Sequence, residues 1–291
     1  MKPSSFEYVR PESLAETLDL LHQDPEESKV LAGGQSLVPM MNFRLARPSR
    51  LIDINRVPGL AGTRVEGDRL VIGTRTRHLA VQNMSGADPL ARLLRSAAAH
   101  VGHLPIRTRG TFGGSLAHSD AASEWCLIAR LLDATMVVES RARGRREIPA
   151  ADFFLSIFTT AMEPDELLVE VSLPRLGDEH RTGFAEFARR AGDFAIVAVT
   201  TDLAVEKGVV THARVCIGGV ADTPFRSGAA EATLVGQRLD DDIATSPLAR
   251  AAAEAAASEV DPPSDAHGDA PYRRDLVRAM LTSSLAQGVA R

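Results

Sequence analysis

The chain has 291 residues, which at ~150 per domain leaves room for about two domains. Hydrophobic residues make up 44% and charged residues 24%, so the chain can bury a core and is neither disordered nor fibrous. Its 33 Lys and Arg against 38 Asp and Glu give a net charge of −5, a poor match to nucleic acid or an anionic membrane.

In chain order, Ser13-Leu14-Ala15-Glu16 reads as a capping box that opens a helix, with Leu14, Leu18 and Leu21 on one face. A strand over 29–32 is cut off by Gly33-Gly34, helical spacing follows over 37–45, and a second strand covers 50–54. Pro58-Gly59 and Gly62 break the chain, and 70–73 is a strand. Residues 89–100 are helical, 110–114 form a second glycine loop, and 123–132 is a further helix. A hairpin pairs 135–139 with 146–148 around the basic turn Arg141 to Arg145, and a strand over 167–173 ends at Pro174. The polar segment 175–182 reads as a domain boundary. Beyond it, strands over 196–205 and 209–217 flank Glu206-Lys207-Gly208, a hairpin turn. Helices over 247–260 and 272–285 enclose a loop at 261–271.

No apolar targeting segment follows Lys2, and the longest apolar run, Phe194 to Val199, is far too short to span a bilayer, so the expected location is the cytoplasm. The two cysteines, Cys126 and Cys216, are too few for an iron–sulfur cluster, which needs about four thiolates. Cys126 falls on the apolar side of its helix and reads as core. The i,i+3 pair His100 and His103 has no third ligand at a recognisable spacing and reads as structural. The acidic run Asp240-Asp241-Asp242 and the basic turn Arg141 to Arg146 read as solvated surface. Neither a P-loop nor a dinucleotide G-x-G-x-x-G is present, and no G-x-S-x-G marks a nucleophile.

The informative features are the two glycine segments. Ala32-Gly33-Gly34-Gln35-Ser36 lies between a strand and a helix, where glycines let backbone N–H groups approach an anion and the helix N-terminus adds a positive field. Ser36 can cap that helix. Thr111-Phe112-Gly113-Gly114-Ser115 has the same ingredients. Either segment alone reads more readily as a tight turn; two together suit a diphosphate held from both sides. His118, Asp120, Ser123 and Glu124 follow the second segment and suit a ligand bearing hydroxyls, while Asp120 or Ser123 equally suits a helix cap.

These residues resemble a family. Ala32 to Leu37, then Ile106-Arg107-Thr108-Arg109-Gly110-Thr111-Phe112-Gly113-Gly114-Ser115-Leu116-Ala117-His118-Ser119-Asp120, is similar to the paired motifs of the flavoprotein subunit of molybdenum hydroxylases, such as the medium subunit of carbon monoxide dehydrogenase and the FAD domain of xanthine dehydrogenase. Leu51 to Ile54 and Glu166 to Leu168 fit the flanking segments, and the resemblance covers nearly the whole chain.

The resemblance implies an α+β fold. Residues 1–177 would form an FAD-binding domain of the vanillyl-alcohol-oxidase (PCMH) type, in subdomains of about 1–58 and 59–177. Residues 178–291 would form a C-terminal domain with a three-stranded antiparallel sheet and helices. By position, Ala32, Gly33, Gly34, Gln35, Ser36 and Leu37 with Thr111, Gly113, Gly114 and Ser115 would clasp the diphosphate and adjoining ribityl of FAD. Glu124 matches an acidic residue that binds flavin-side hydroxyls; Val101, Ile106 and Leu168 match positions near the isoalloxazine or adenine, and Phe194 an aromatic position close to the flavin ring. Ala188 stands where many relatives carry Lys, with Arg189 and Arg190 as substitutes. Gln35 stands where carbon monoxide dehydrogenases often carry His, which disfavours carbon monoxide as substrate.

The implied activity is electron transfer. A large subunit would hold the molybdenum cofactor and oxidise the substrate, a small subunit would relay electrons through two [2Fe-2S] clusters, and FAD on this chain would pass them to an external acceptor. The assembly would be a dimer of heterotrimers. Two rivals remain: a self-contained flavin oxidase of the vanillyl-alcohol type, and a scaffold that has lost its flavin.

Overall fold

The computed structural model describes residues 1–239 and 242–289; Asp240 and Asp241 of the acidic run lie outside the described residues. The chain forms three layers of sheet and helix. The first contains β1 (Glu7–Val9), α1 (Leu14–Gln23), β2 (Ser28–Leu31), α2 (Leu37–Asn42) and β3 (Arg50–Asp53), with the strands parallel in the order β1-β3-β2. The Ser13 hydroxyl accepts the Glu16 amide at 3.1 Å, and the Glu16 carboxylate reaches back to the Glu12 amide at 2.9 Å, so the box closes one residue further out than the usual form. Helix α2 ends at Asn42 rather than Leu45, because Arg44 turns the chain out through φ +58°.

The second layer runs through β4 (Thr63–Glu66), β5 (Arg69–Gly73), α3 (His78–Gln82), α4 (Pro89–His100), α5 (Leu104–Arg109), α6 (Phe112–His118), α7 (Glu124–Leu131), β6 (Thr135–Ser140), β7 (Gly144–Pro149), α8 (Ala150–Phe153), β8 (Phe154–Ser156), β9 (Thr159–Thr160) and β10 (Glu166–Pro174). Its antiparallel sheet has the order β4-β5-β10-β6-β7. A bulge between Leu168 and Glu170 on β10 resets the side-chain alternation. Leu168, Val171 and Leu173 therefore enter the core under α4, α6 and α7, while Leu167 and Val169 turn to the first layer and pack with Leu18, Leu21, Ile52 and Ile54. The basic turn is paired rather than merely solvated: Arg141 meets Asp19, Arg143 meets Asp165, Arg145 meets Glu170, and Arg146 meets Glu166 at 2.7 Å.

The third layer holds β11 (His180–Phe187), β12 (Val197–Glu206), β13 (Val209–Gly218), β14 (Phe225–Arg226), α9 (Gly228–Leu234), α10 (Pro247–Glu259) and α11 (Ala270–Val289). One expectation is corrected here. The sheet has four strands, β11-β12-β13-β14, because the two-residue β14 pairs with Cys216 and Ile217. Strand β11 starts at His180, inside the polar segment 175–182, where Asp202 on β12 takes the imidazole at 2.7 Å. One face of this sheet sends Phe184, Ala198 and Cys216 into the core of the second layer. The other face packs the alanines of α10 and the apolar side of α11. Gly183 makes that contact close, since a Cβ there would run into the Ser284 carbonyl. No helix among the described residues is long and apolar enough to cross a membrane.

Candidate functional site

The first glycine segment leaves β2 at Ala32 and enters α2 at Leu37. Gly34 sits at φ +71°, the left-handed region that a residue with a side chain adopts only at a cost. The amides of Gly34, Gln35 and Ser36 donate to no acceptor among the described residues, which leaves three successive N–H groups at the mouth of a helix. Ser36 does not cap α2: its backbone is already helical, at φ −99° and ψ −49°, and its hydroxyl makes no cap bond. Gln35 instead folds its side-chain amide back onto the Gly33 carbonyl at 3.0 Å.

The second segment is not the open loop expected. Residues 112–118 form α6, with Thr111 as its N-cap accepting the Gly114 amide at 3.1 Å. The Phe112 amide donates to the Thr76 carbonyl at 2.8 Å and the Gly113 amide to the Thr74 carbonyl at 2.9 Å. These N–H groups are committed within the protein. What glycine provides at 113 is close approach, since a Cβ there would run into Thr74 Oγ1. The two segments therefore play different parts: the first presents free donors, the second a tightly packed wall.

The segments meet directly. A Cβ on Gly33 would lie 2.5 Å from the Arg109 carbonyl and 2.7 Å from Gly110 Cα. Around this contact lies an open cleft of about 360 Å3, lined by Leu31 to Gln35, Val38, Pro39, Asn55 and Arg109. Sequence reasoning missed the polar frame behind it. Asn55 donates from Nδ2 to the Ala32 carbonyl at 2.8 Å and to Asp53 Oδ1 at 2.6 Å. Arg77 donates to Asn55 Oδ1 at 2.6 Å and to the Arg109 carbonyl. Burial works to raise the Asp53 carboxyl, but the Tyr8 hydroxyl and Asn55 together hold it below its ordinary range. Among the described residues Arg75, Arg77 and Arg109 form no ion pair with a carboxylate; Arg109 lines the cleft, while Arg77 stands outside its lining with Asp53 as an opposing charge. Free amides and the Arg109 guanidinium fit a diphosphate.

Behind the second segment stands a buried aromatic buttress. Trp125 Nε1 donates to His78 Nδ1 at 2.9 Å, and Phe112 packs on the indole with centroids 4.9 Å apart. Burial drives the His78 pKa down to about 4, so the ring is neutral and free to accept. Gly110 lies against that ring, and its carbonyl takes the His78 amide at 3.2 Å.

The other expected residues form a second group. His118 stacks on Phe158 at 4.6 Å, and burial lowers its pKa. Asp120 accepts the Ala122 amide at 2.9 Å, while Ser123 makes no cap bond to α7. Glu124, half-buried in the first turn of α7, is pushed up to about 8 by burial and then by the neighbouring charge of Glu186. Glu186 reaches in from β11 to within 3.2 Å of His100 Nδ1, and its other carboxylate oxygen is buried without a partner among the described residues. This places an acid from the third layer beside acids of the second. Val101 and Leu168 are buried in the core, at 7% and 2% exposure, and Ile106 is half-buried in α5. Phe194 is 71% exposed, two residues beyond Gly192, which lies against the His103 ring. Arg189 is tied to the Ala266 carbonyl at 2.8 Å and Arg190 is exposed. Cys126 and Cys216 are both buried, and burial pushes the Cys216 thiol up to about 12, so neither is a nucleophile.

Comparison with known families settles what this arrangement belongs to. A model of the FAD binding domain in molybdopterin dehydrogenase matches residues 4–176, and one of the CO dehydrogenase flavoprotein C-terminal domain matches residues 182–287. The chain is an FAD-binding medium subunit of the molybdenum hydroxylase family. This medium subunit is 41% identical to the 6-hydroxypseudooxynicotine dehydrogenase complex subunit alpha of Paenarthrobacter nicotinovorans, over 100% of this chain and 97% of the relative. It is 37% identical to the nicotine 6-hydroxylase medium subunit of the same organism, over 100% of both chains. Its structure matches carbon monoxide dehydrogenase from Hydrogenophaga pseudoflava with a TM-score of 0.91 and 35% identity, covering 99% of this chain and 98% of that one. Relatives matched end to end are themselves subunits of complexes, and this sets aside the self-contained oxidase.

Proposed function

We propose that the medium subunit holds FAD with its diphosphate on the free amides of Gly34, Gln35 and Ser36, beside Arg109 and Arg77. Ala32, Gly33 and Leu37 shape that floor, and Thr111, Gly113, Gly114 and Ser115 form the facing wall, which packs too closely to admit larger residues. His118, Asp120 and Glu124 hold the hydroxyl-bearing chain between diphosphate and ring. A protonated Glu124 is a donor as well as an acceptor, and its raised pKa keeps it protonated near neutral pH. Val101, Ile106 and Phe194 border the flavin ring, and Leu168 backs the isoalloxazine or the adenine. The observation that carries this reading is the row of three unpartnered amides in a cleft that Arg109 also lines, beside the close contact of Gly33 with the Arg109 carbonyl.

Bound FAD supplies the redox chemistry, taking electrons and passing them to an external acceptor. This chain binds and orients the cofactor and tunes its surroundings. With only two cysteines, both buried, it ligates no iron–sulfur cluster of its own. Electrons then arrive from a small subunit with two [2Fe-2S] clusters, fed by a large molybdopterin subunit that oxidises the substrate. We place the complex in the cytoplasm as a dimer of heterotrimers. The test is the visible spectrum and cofactor content of the complex purified through this chain. Flavin bands over broad iron–sulfur absorption, with FAD lost in a Gly34→Val variant, support the assignment; a complex with no flavin overturns it.

A further inference from the structure

Arg77 is poorly explained as a simple brace. Its guanidinium is spent on two neutral acceptors, Asn55 Oδ1 at 2.6 Å and the Arg109 carbonyl, and no carboxylate pairs with it among the described residues. Burial, and then the nearby Arg75, lower its pKa, so the charge is retained at a cost that an amide side chain making the same bonds would not incur. The nearest counter-charge, Asp53, lies behind Asn55 and is already engaged by Tyr8, Asn55 and, at 3.9 Å, Arg10. Each bond of the pair also ends on a different half of the site. Asn55 holds the carbonyl of Ala32, at the head of the first glycine segment; Arg77 holds the carbonyl of Arg109, at the head of the second.

We propose that Arg77, held by Asn55, is a positioning residue that fixes the spacing of the two glycine segments and supplies the positive charge that selects a diphosphate between them. The inference rests on the assignment of FAD to this cleft. It gives Arg77 and Asn55 a part in choosing FAD over flavins that lack a diphosphate, and it predicts that a diphosphate without a flavin competes for the same place.

The experiment uses the full chain in its complex, stripped of FAD and titrated with FAD by quenching of flavin fluorescence, with ADP as competitor, at several salt concentrations. Loss of charge-assisted bonds predicts FAD binding about ten- to a hundredfold weaker in Arg77→Met and Asn55→Ala. ADP competition weakens in parallel, and the salt dependence of binding is shallower in Arg77→Met. Arg77→Lys restores the salt dependence but not the full affinity, because one ammonium cannot make the forked contact. The reduction potential of the flavin that remains bound stays at the parent value, since the change lies at the diphosphate. The proposal is overturned if Arg77→Met binds FAD and ADP as the parent does, or if it loses FAD while ADP competes unchanged. If Asn55→Ala fails to fold, the comparison of Arg77→Lys with Arg77→Met decides alone. Failure of the parent itself to take up FAD overturns the assignment of the cleft, a result distinct from failure of the clamp.

Discussion

The indole N–H of Trp125 on α7 donates to Nδ1 of His78 on α3 across 2.9 Å of buried space, and this bond sets the wall on which Gly110 and α6 rest. Trp125→Phe keeps most of the volume and leaves His78 Nδ1 unpartnered. An unsatisfied buried acceptor costs about 1–3 kcal/mol, so urea unfolding is expected to show a loss of that size. FAD affinity falls with it, because Gly110 moves with the ring.

His78 also makes the fold acid-sensitive. Its pKa is about 4 in the folded chain against an ordinary 6.5, so the unfolded chain binds the extra proton between those values. The stability contribution of this residue is fully present above pH 6.5 and is lost as pH falls toward 4. Denaturant unfolding at a series of pH values tests this, and His78→Gln is expected to flatten the slope in that window.

Glu124 acts in the opposite sense. Its carboxyl is raised to about 8 from an ordinary 4.5, so the folded chain holds the proton that the unfolded chain releases. Stability of the FAD-free chain is expected to decline as pH rises from about 4.5 to 8. Glu124→Gln, neutral throughout, removes that decline. Proton release on raising the pH is also expected to weaken hydrogen bonding from Glu124 to FAD, seen as a fall in FAD affinity near pH 8 that the Gln variant lacks.

The two glycines of α6 are expected to differ. Gly113→Ala forces a methyl into Thr74, and overpacking of this kind costs about 1–3 kcal/mol. Gly114→Ala meets the Thr111 hydroxyl at 2.6 Å and weakens the cap, a loss of about 1 kcal/mol. Thermal unfolding of the two variants ranks them, and both are expected to bind FAD less tightly.

Much of this was legible in the sequence, and the failures have causes. The strand–glycine–helix–strand unit was readable because Gly33-Gly34 punctuates two apolar strands, and α4 because Asp88 and Pro89 open a helix with a clear apolar face. Helix α6 was not readable, since it begins Phe-Gly-Gly, a poor helix former; the Thr111 cap and the carbonyls of Thr74 and Thr76 impose it from outside. Strand β1 has three residues with Tyr8 half-exposed, and its partner β3 lies some forty residues away. Asn55, Arg77, His78 and Trp125 carry no local signal at all. Their roles exist only through contacts that the fold creates. The paired motifs were legible because the fold admits no side chain at Gly33 and Gly113 and holds Gly34 at a positive φ, so glycine stands at fixed positions in the sequence.

FAD binding by this chain is tested by the ratio of FAD to chain in the complex isolated from its native host, read from the visible spectrum and from flavin released on denaturation. One FAD per chain is expected, with iron–sulfur absorption contributed by a partner subunit. A colourless chain that takes up no added FAD, in a complex otherwise intact, would contradict it.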